Sequence, residues 1–160
     1  MRLVTLSTLF WLIADQASKY GVMYGLNLIE TRALDVMPPL LTFRLGFNTG
    51  VNFGLFSGGP DVMRWILIVV AILIILWLLW WARHGLTRPI ALVSAGAVIG
   101  GALGNTFDRL FHGGVIDFLN MSCCGIVNPY VFNVADIGIV GGAIGLVFFA
   151  DKARTADDAP

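Results

Sequence analysis

The run Trp65–Ala82, which reads WILIVVAILIILWLLWWA, decides the fold class because none of its 18 residues carries a charge. As an α-helix it would extend about 27 Å, close to the roughly 30 Å of a bilayer's hydrocarbon core. We therefore predict a membrane-spanning helix here. Trp77, Trp80, Trp81 and Arg83 would form the interfacial belt at one of its ends.

The composition of the whole chain also indicates a membrane protein. Of the 160 residues, 58% are hydrophobic and only 12% are charged, whereas soluble domains are about a quarter charged. The mean hydropathy is +0.83. Because the net charge is zero and basic residues do not cluster, we expect no nucleic-acid partner.

Three further apolar segments predict helices, which makes the fold class membrane all-α. We expect four transmembrane helices at about residues 3–21, 62–82, 89–108 and 134–150, in a single membrane domain spanning 1–160. Small residues at four-residue spacing let membrane helices approach closely, so the glycines of the last two helices predict close packing. These glycines are Gly96, Gly100, Gly104, Gly138, Gly141, Gly142 and Gly145.

The first helix has a competing interpretation. A short apolar run followed by Ala14-Asp15-Gln16-Ala17 is also typical of a secretory signal peptide and its cleavage site. We favour a retained helix, because Asp15 and Lys19 have the i, i+4 spacing of a helical ion pair.

Residues 22–60 are predicted to be non-helical, since Pro38-Pro39 breaks any helix there. Leu41–Asn48 alternates apolar with polar or small residues, which predicts a strand. We expect a small β-sheet lying on the membrane surface, a β-cradle at about 40–56 between the first two helices. Its apolar contacts would come from Phe43, Phe47, Phe53 and Phe56.

Four spans would put both termini on one side of the membrane. The basic residues near those termini and in the loop after the second helix favour that side as cytoplasmic, although Arg32 and Arg44 lie on the other side. Asp108 and Asp136 would then share the outer face. The basic residues that support this orientation are Arg2, Arg83, Arg88, Lys152 and Arg154.

Two Asn-x-x-Asp segments carry the chemistry, Asn105 to Asp108 and Asn133 to Asp136. An ionised carboxylate inside a membrane costs about 3 kcal/mol or more, so such acids are usually functional. At this spacing each asparagine stands beside its aspartate. If the two carboxyls meet, they share one proton, and the pair can activate water and protonate a leaving group.

Other roles for the acids stay open at this stage. Asp108 could pair with Arg109 as a folding device, and Asp117 could be a loop or capping acid. Asp15 and Lys19 suit a structural or substrate-side role.

Other functions also stay open. Cys123 or Cys124 with His112 could form a nucleophilic site, but no third orienting group is evident. A metal site is a poor fit, because the two histidines are scattered and only a few acids could join them as ligands. A transporter lined by the acids and a structural subunit packed through its glycines are the remaining hypotheses.

The motifs together resemble those of the bacterial lipoprotein signal peptidases, also called signal peptidase II. Four ordered segments carry the resemblance over nearly the whole chain. They are Asp15-Gln16-x-Ser18-Lys19, then Phe47-Asn48-x-Gly50-x-x-Phe53-Gly54, then Gly100-Gly101-Ala102-x-Gly104-Asn105-x-x-Asp108-Arg109 followed by Asp117-Phe118, and finally Phe132-Asn133-x-Ala135-Asp136.

The resemblance implies an aspartic endopeptidase without a cofactor or metal, with Asp108 and Asp136 as the catalytic dyad. It implies that two asparagines orient the dyad and that a further group of residues shapes the substrate pocket. The orienting residues are Asn105 and Asn133, and the pocket residues are Asp15, Lys19, Asn48, Gly50, Arg109 and Ala135. Asn52, where a small residue is expected, and the Cys123-Cys124 loop depart from the family pattern.

The same resemblance implies the partners and the location. The substrate would be a diacylglyceryl-modified prolipoprotein, cleaved before the lipidated cysteine in the bacterial cytoplasmic (inner) membrane. Membrane lipid and a globomycin-type inhibitor are the other expected partners.

Overall fold

The computed structural model describes residues 1–50 and 59–150. The segment that carries Asn52, Phe53 and Phe56 lies outside the described residues. The elements, in chain order, are α1 (Arg2–Tyr20), a π-helical turn (Gly21–Gly25), α2 (Leu28–Thr31), β1 (Ala33–Met37), β2 (Leu41–Asn48), α3 (Gly59–His84), α4 (Pro89–His112), β3 (Val115–Met121) and α5 (Val134–Phe149).

The four predicted long helices are present as α1, α3, α4 and α5. α3 and α4 are long and apolar enough to cross a membrane, and α5 is a shorter apolar helix of 16 residues. α4 continues one turn past Asp108 and ends at His112. Gly113 follows it, and its φ of 81° is the left-handed conformation typical of a helix C-terminus. Four complete spans therefore remain a prediction.

α4 is the central helix, because both α1 and α5 pack closely against its glycines. A Cβ added at Gly100 would lie 2.5 Å from the Thr8 carbonyl oxygen of α1, and one at Gly142 would lie 2.6 Å from the Ser94 oxygen of α4. A Cβ at Gly101 would collide with the Ala135 carbonyl oxygen of α5. The prediction that these glycines serve packing is confirmed for all of them except Gly141.

Gly141 is an exception to the packing prediction. No neighbouring heavy atom lies within 4 Å of a Cβ built at this position. Its place on the exposed face of α5 leaves room for a ligand instead.

The sheet contains more than the predicted cradle. β2 has the predicted bounds, and it pairs antiparallel with β1 on one side and with β3 on the other. The prediction that the sheet lies wholly between the first two helices is wrong, because β3 follows α4. β3 escaped prediction because nearly all its side chains are buried, which removes the apolar and polar alternation of a strand with one solvated face.

The region 22–60 was also predicted to lack helix, and this is wrong for its first part. The π-helical turn extends α1 as far as Gly25, and α2 follows almost at once. Pro38-Pro39, joined by a cis peptide bond, lies in the turn between β1 and β2.

Candidate active site

Polar side chains meet in the interior where the end of α1, the end of α4, β3 and the start of α5 come together. Their burial is unusual for an apolar protein, since ionised groups are rarely buried without partners. Each of the following is at most 8% exposed: Asp15, Lys19, Asn105, Asp108, Asp117 and Asn133.

The last turns of α4 supply two different faces to this cluster. Residues four apart share a helix face. Asp108 therefore lies on the face of Gly104, which packs against α1, whereas Asn105 lies on the face of Gly101, which packs against α5. The prediction that Asn105 orients Asp108 therefore fails geometrically. The Asn105 side-chain amide instead donates a hydrogen bond to Asp136 Oδ1 over 3.0 Å.

Asp15, Lys19 and Asp108 form a buried ionic cluster. Lys19 Nζ lies 2.7 Å from Asp15 Oδ2 and 2.8 Å from Asp108 Oδ2, which confirms the predicted i, i+4 ion pair. Gln16 Nε2 donates to Asp108 Oδ1 over 3.0 Å. The alternative in which Asp108 pairs with Arg109 is wrong, because Lys19 is its cationic partner.

Asp136 lies in the first turn of α5 and is half-buried. Its Oδ2 accepts the backbone N–H of Asn133 over 3.1 Å, while Asn133 Oδ1 accepts the N–H of Asp136 over 3.0 Å. This reciprocal capping box satisfies amides at the helix N-terminus and fixes the carboxylate orientation. The Asn-x-x-Asp spacing thus predicts the neighbours correctly in this segment.

Asp117 lies on β3 and is 4% exposed, so it is neither a loop acid nor a helix cap. Its Oδ1 accepts a hydrogen bond from Asn133 Nδ2 over 2.7 Å. Burial, and then the negative charge of Asp136, raise its pKa to about 6 from an ordinary 3.8, against opposing hydrogen bonds from Asn133 and Asn48. The same asparagine therefore contacts both Asp117 and Asp136.

The two groups of acids differ in their partners. Within residues 1–50 and 59–150, the salt bridges of Asp15 and Asp108 are with Lys19, and neither Asp117 nor Asp136 has a cation within salt-bridge distance. Asp117 and Asp136 are held by hydrogen bonds from amide groups, and the charge of Arg109 acts on both at longer range.

Arg109 lies near Asp117 and Asp136, whose charges both act on its guanidinium, although it forms no salt bridge with either. Its Nη1 donates to the Asn105 carbonyl oxygen over 3.2 Å, and its buried Nε has no hydrogen-bond partner. It borders a cavity of about 270 Å³ between α3, α4 and α5, whose other lining residues include Leu67 and Ile139.

A larger apolar groove of about 460 Å³ lies along the exposed face of α5. Asp136, at the N-terminal end of α5, is its charged lining residue, and the surface of the groove is almost entirely apolar. The other lining residues are Phe132, Ile137, Val140, Gly141 and Ile144. Such a groove can hold an extended apolar chain beside Asp136.

Asn48 and Gly50 form a turn at the end of β2. The Gly50 N–H donates to Asn48 Oδ1 over 2.9 Å. Gly50 has a φ of +79°, and a Cβ there would lie 2.5 Å from Leu67 Cδ1 of α3. Only glycine combines this conformation with the close approach of α3.

Cys123 and Cys124 are joined in a disulfide, and the described residues include no free cysteine. The hypothesis of a cysteine and histidine nucleophile therefore has no thiol to act. The described part of the chain also shows no group of three or more His, Cys, Asp or Glu side chains arranged to hold a metal.

Asp117 belongs to this buried cluster, although the sequence predicts only a loop or capping acid. A usable signal was present, because Asp117 is the sole acid in the 23 residues between the two Asn-x-x-Asp motif segments Asn105–Arg109 and Asn133–Asp136. Because a charge in such an apolar stretch is costly in free energy, an acid there usually has a functional role.

Known proteins share this sequence and architecture. Signal peptidase II, as a family, matches residues 7–150. The lipoprotein signal peptidase of Methylorubrum extorquens (strain PA1) is 39% identical over 149 residues, 93% of this chain and 84% of that protein. That of Rhodopseudomonas palustris (strain ATCC BAA-98 / CGA009) is 38% identical over 164 residues, 100% of this chain and 98% of that protein.

A solved structure agrees with these sequence relatives. A bacterial membrane enzyme determined by the in meso method superimposes with a TM-score of 0.77 at 25% identity, covering 92% of both chains. A second such structure gives a TM-score of 0.75 at 25% identity, covering 92% of this chain and 87% of the other. The chain belongs to the signal peptidase II family of membrane proteases.

Proposed function

We propose that this chain is an aspartic endopeptidase that removes the signal peptide from diacylglyceryl-modified prolipoproteins, cutting before the lipidated cysteine. Its relatives are named lipoprotein signal peptidases, and membership of a protease family disfavours the transporter and structural-subunit hypotheses. No cofactor takes part in the proposed reaction.

The proposed catalytic pair is Asp117 with Asp136. The observation that carries this choice is the contact of Asn133 with both residues, together with the pKa of Asp117, which the charge of Asp136 helps to raise to about 6. Two close carboxyls cannot both ionise cheaply, so Asp117 keeps its proton at pH values up to about 6.

In the proposed mechanism the ionised member of the pair takes a proton from water as that water attacks the scissile carbonyl carbon. The protonated member donates its proton to the carbonyl oxygen, which gives a gem-diol intermediate. When the C–N bond breaks, the member that took the water proton gives it to the leaving nitrogen, and the other member takes a proton back from a gem-diol hydroxyl. Asn105 and Asn133 hold Asp136 in the required orientation throughout.

The resemblance favours Asp108 as the partner of Asp136, and that role stays a prediction. The contacts favour Asp117 instead, because Asp108 is ion-paired with Lys19 and hydrogen-bonded to Gln16, whereas Asp117 shares Asn133 with Asp136. A carboxylate neutralised by a lysine is a poor proton carrier.

The groove on α5 supports an apolar substrate. We propose that it takes the signal peptide or a lipid chain and brings the scissile bond to Asp136, while Asn48 and Arg109 shape the pocket beside it. With four spans and cytoplasmic termini, this site would lie near the outer face of the bacterial inner membrane. Confinement to the bilayer then contributes to positioning the substrate.

Cleavage of a diacylglyceryl-modified prolipoprotein by the purified chain in detergent tests this proposal. Wild type should release the signal peptide, and D136N and D117N should not. A D117N enzyme as active as wild type, beside an inactive D108N, would return the role to Asp108. We also expect a globomycin-type inhibitor to block the wild-type reaction.

A further inference from the structure

Two backbone amides connect the ionic cluster to the proposed catalytic pair. Asp108 Oδ2 accepts the N–H of Ile116 over 3.1 Å, and Asp15 Oδ1 accepts the N–H of Ala135 over 2.9 Å. Ile116 immediately precedes Asp117 in the chain, and Ala135 immediately precedes Asp136. Each member of the pair thus follows a residue whose amide is held by the cluster.

Lys19 joins the two acceptors. It lies within 2.8 Å of an oxygen on each carboxylate, and its side chain is 1% exposed. We propose that Lys19 with Asp15 and Asp108 is a positioning clamp, which sets the distance between the two catalytic carboxyls by fixing the backbone just before each of them. The inference rests on the proposed assignment of Asp117 and Asp136.

Burial of three charges supports a positional role over a merely stabilising one. Buried ion pairs contribute little net stability compared with apolar residues of similar volume, because desolvation offsets their attraction. Here each carboxylate forms a salt bridge with Lys19 and also accepts a hydrogen bond from a backbone amide of another element. Asp108 accepts one from β3 and Asp15 one from α5. Apolar side chains could fill the volume but could not hold those amides.

The clamp does not touch the substrate groove. Asp15, Lys19 and Asp108 are absent from the residues that line it. Without the clamp, the start of β3 and the first turn of α5 could shift relative to each other. A misplacement of about 1 Å can cost roughly a hundredfold in rate, so the clamp should act on kcat and leave KM nearly unchanged.

Matched variants separate the hydrogen-bond acceptor from the charge. D15N and D15L both remove the charge, but asparagine keeps a carbonyl oxygen for the amide of Ala135, whereas leucine has no acceptor. D108N and D108L make the same comparison for Ile116. Their kcat and KM are measured on a diacylglyceryl-modified prolipoprotein.

The leucine variants should have a kcat roughly a hundredfold below that of their asparagine counterparts, at similar KM. Equal kcat for D15L and D15N, or a loss confined to KM, overturns the clamp. D117N and D136N are assayed alongside. If D117N and D136N are both inactive while the leucine and asparagine variants have equal kcat, the clamp is rejected and the proposed function stands. An active D117N rejects the proposed catalytic pair itself.

A second variant covers the case in which a leucine variant does not fold. An added methyl group at Gly104 would lie 2.5 Å from Asp15 Oδ2, the oxygen that contacts Lys19. G104A therefore displaces the Asp15 carboxylate, whose Oδ1 holds the Ala135 amide, while all three charges remain. The clamp predicts that kcat falls about tenfold or more at similar KM. A folded G104A enzyme with wild-type kcat contradicts it.

Discussion

The interior holds two sets of carboxyls whose partners differ. Asp15 and Asp108 share a lysine, whereas Asp117 and Asp136 share Asn133 and form no salt bridge in the described part of the chain. The ion-paired carboxylates serve as fixed hydrogen-bond acceptors, while burial and the charge of Asp136 raise the pKa of Asp117. The comparison therefore separates acids that hold the backbone from acids that can exchange protons.

The largest expected effect is on cleavage. D136N and D117N should each lower kcat by about a thousandfold or more, because acid-base groups contribute up to roughly 10⁴-fold. D108N, which keeps an acceptor for Ile116, should lose far less. Single-turnover cleavage of a lipidated precursor measures all three variants. Equal losses of rate in D108N and D117N would show that the two sets of carboxyls do not differ in their roles.

The next effect concerns stability. K19M would leave Asp15 and Asp108 buried without a cation, so we expect it to lower the free energy of unfolding by about 3–5 kcal/mol. D117N removes a buried carboxyl that forms no salt bridge in the described part of the chain, so it should leave stability unchanged or higher. Denaturant unfolding in detergent micelles gives both values. A K19M protein as stable as wild type would mean that the cluster is not ionised.

A smaller change is expected at the residue that joins the catalytic pair. N133A removes the capping side chain of α5 at a cost of about 1 kcal/mol, and also the hydrogen bond to Asp117. Its kcat should fall roughly tenfold to a hundredfold.

N120A is the matched control for this variant. Asn120, which lies on β3, is buried like Asn133, but its side chain donates to the Asn128 and Tyr130 carbonyl oxygens. We expect a similar loss of stability with kcat retained. Parallel loss of kcat in both variants would reduce Asn133 to a structural residue.

The smallest effect is a shift in proton affinity. The pKa of Asp117 is raised to about 6 by burial and by Asp136, so D136N should lower it, although burial keeps it above its ordinary value. Infrared spectra of the protonated carboxyl, recorded from acid to neutral pH, measure the change. An unchanged pKa in D136N would show that the two carboxyls do not interact.

The same raised pKa makes a prediction for stability against pH. The folded state binds this proton more tightly than the unfolded state, so the stabilising contribution is complete below about pH 4 and is lost as the pH rises through about 6. D117N should remove this part of the pH dependence. Unfolding curves of wild type and D117N recorded across that range measure this contribution. A free energy of unfolding that does not fall with rising pH in wild type relative to D117N would contradict the prediction.

Much of the fold could be predicted because membrane helices and half-exposed strands leave strong local patterns. The run from Trp65 to Ala82 became α3, and the alternation of Leu41–Asn48 became β2 with the same bounds. β3 could not be predicted in this way, because its burial on both faces hides the alternation.

The site was predictable only where its contacts are local. Asp15 with Lys19 and Asn133 with Asp136 lie three or four residues apart, and both contacts are present. The choice between Asp108 and Asp117 depends on which side of α4 faces α1, which is decided by helix packing at Gly101 and Gly104. Sequence spacing carries no information about that choice.

The groove along α5 has a kinetic consequence. Because it is open on an exposed apolar face and ends at Asp136, a lipid-anchored substrate on the proposed function would arrive by diffusion within the lipid phase. The relevant concentration is then the substrate's mole fraction among amphiphiles rather than its amount per litre. Added detergent would slow cleavage by surface dilution, even with enzyme and substrate held constant.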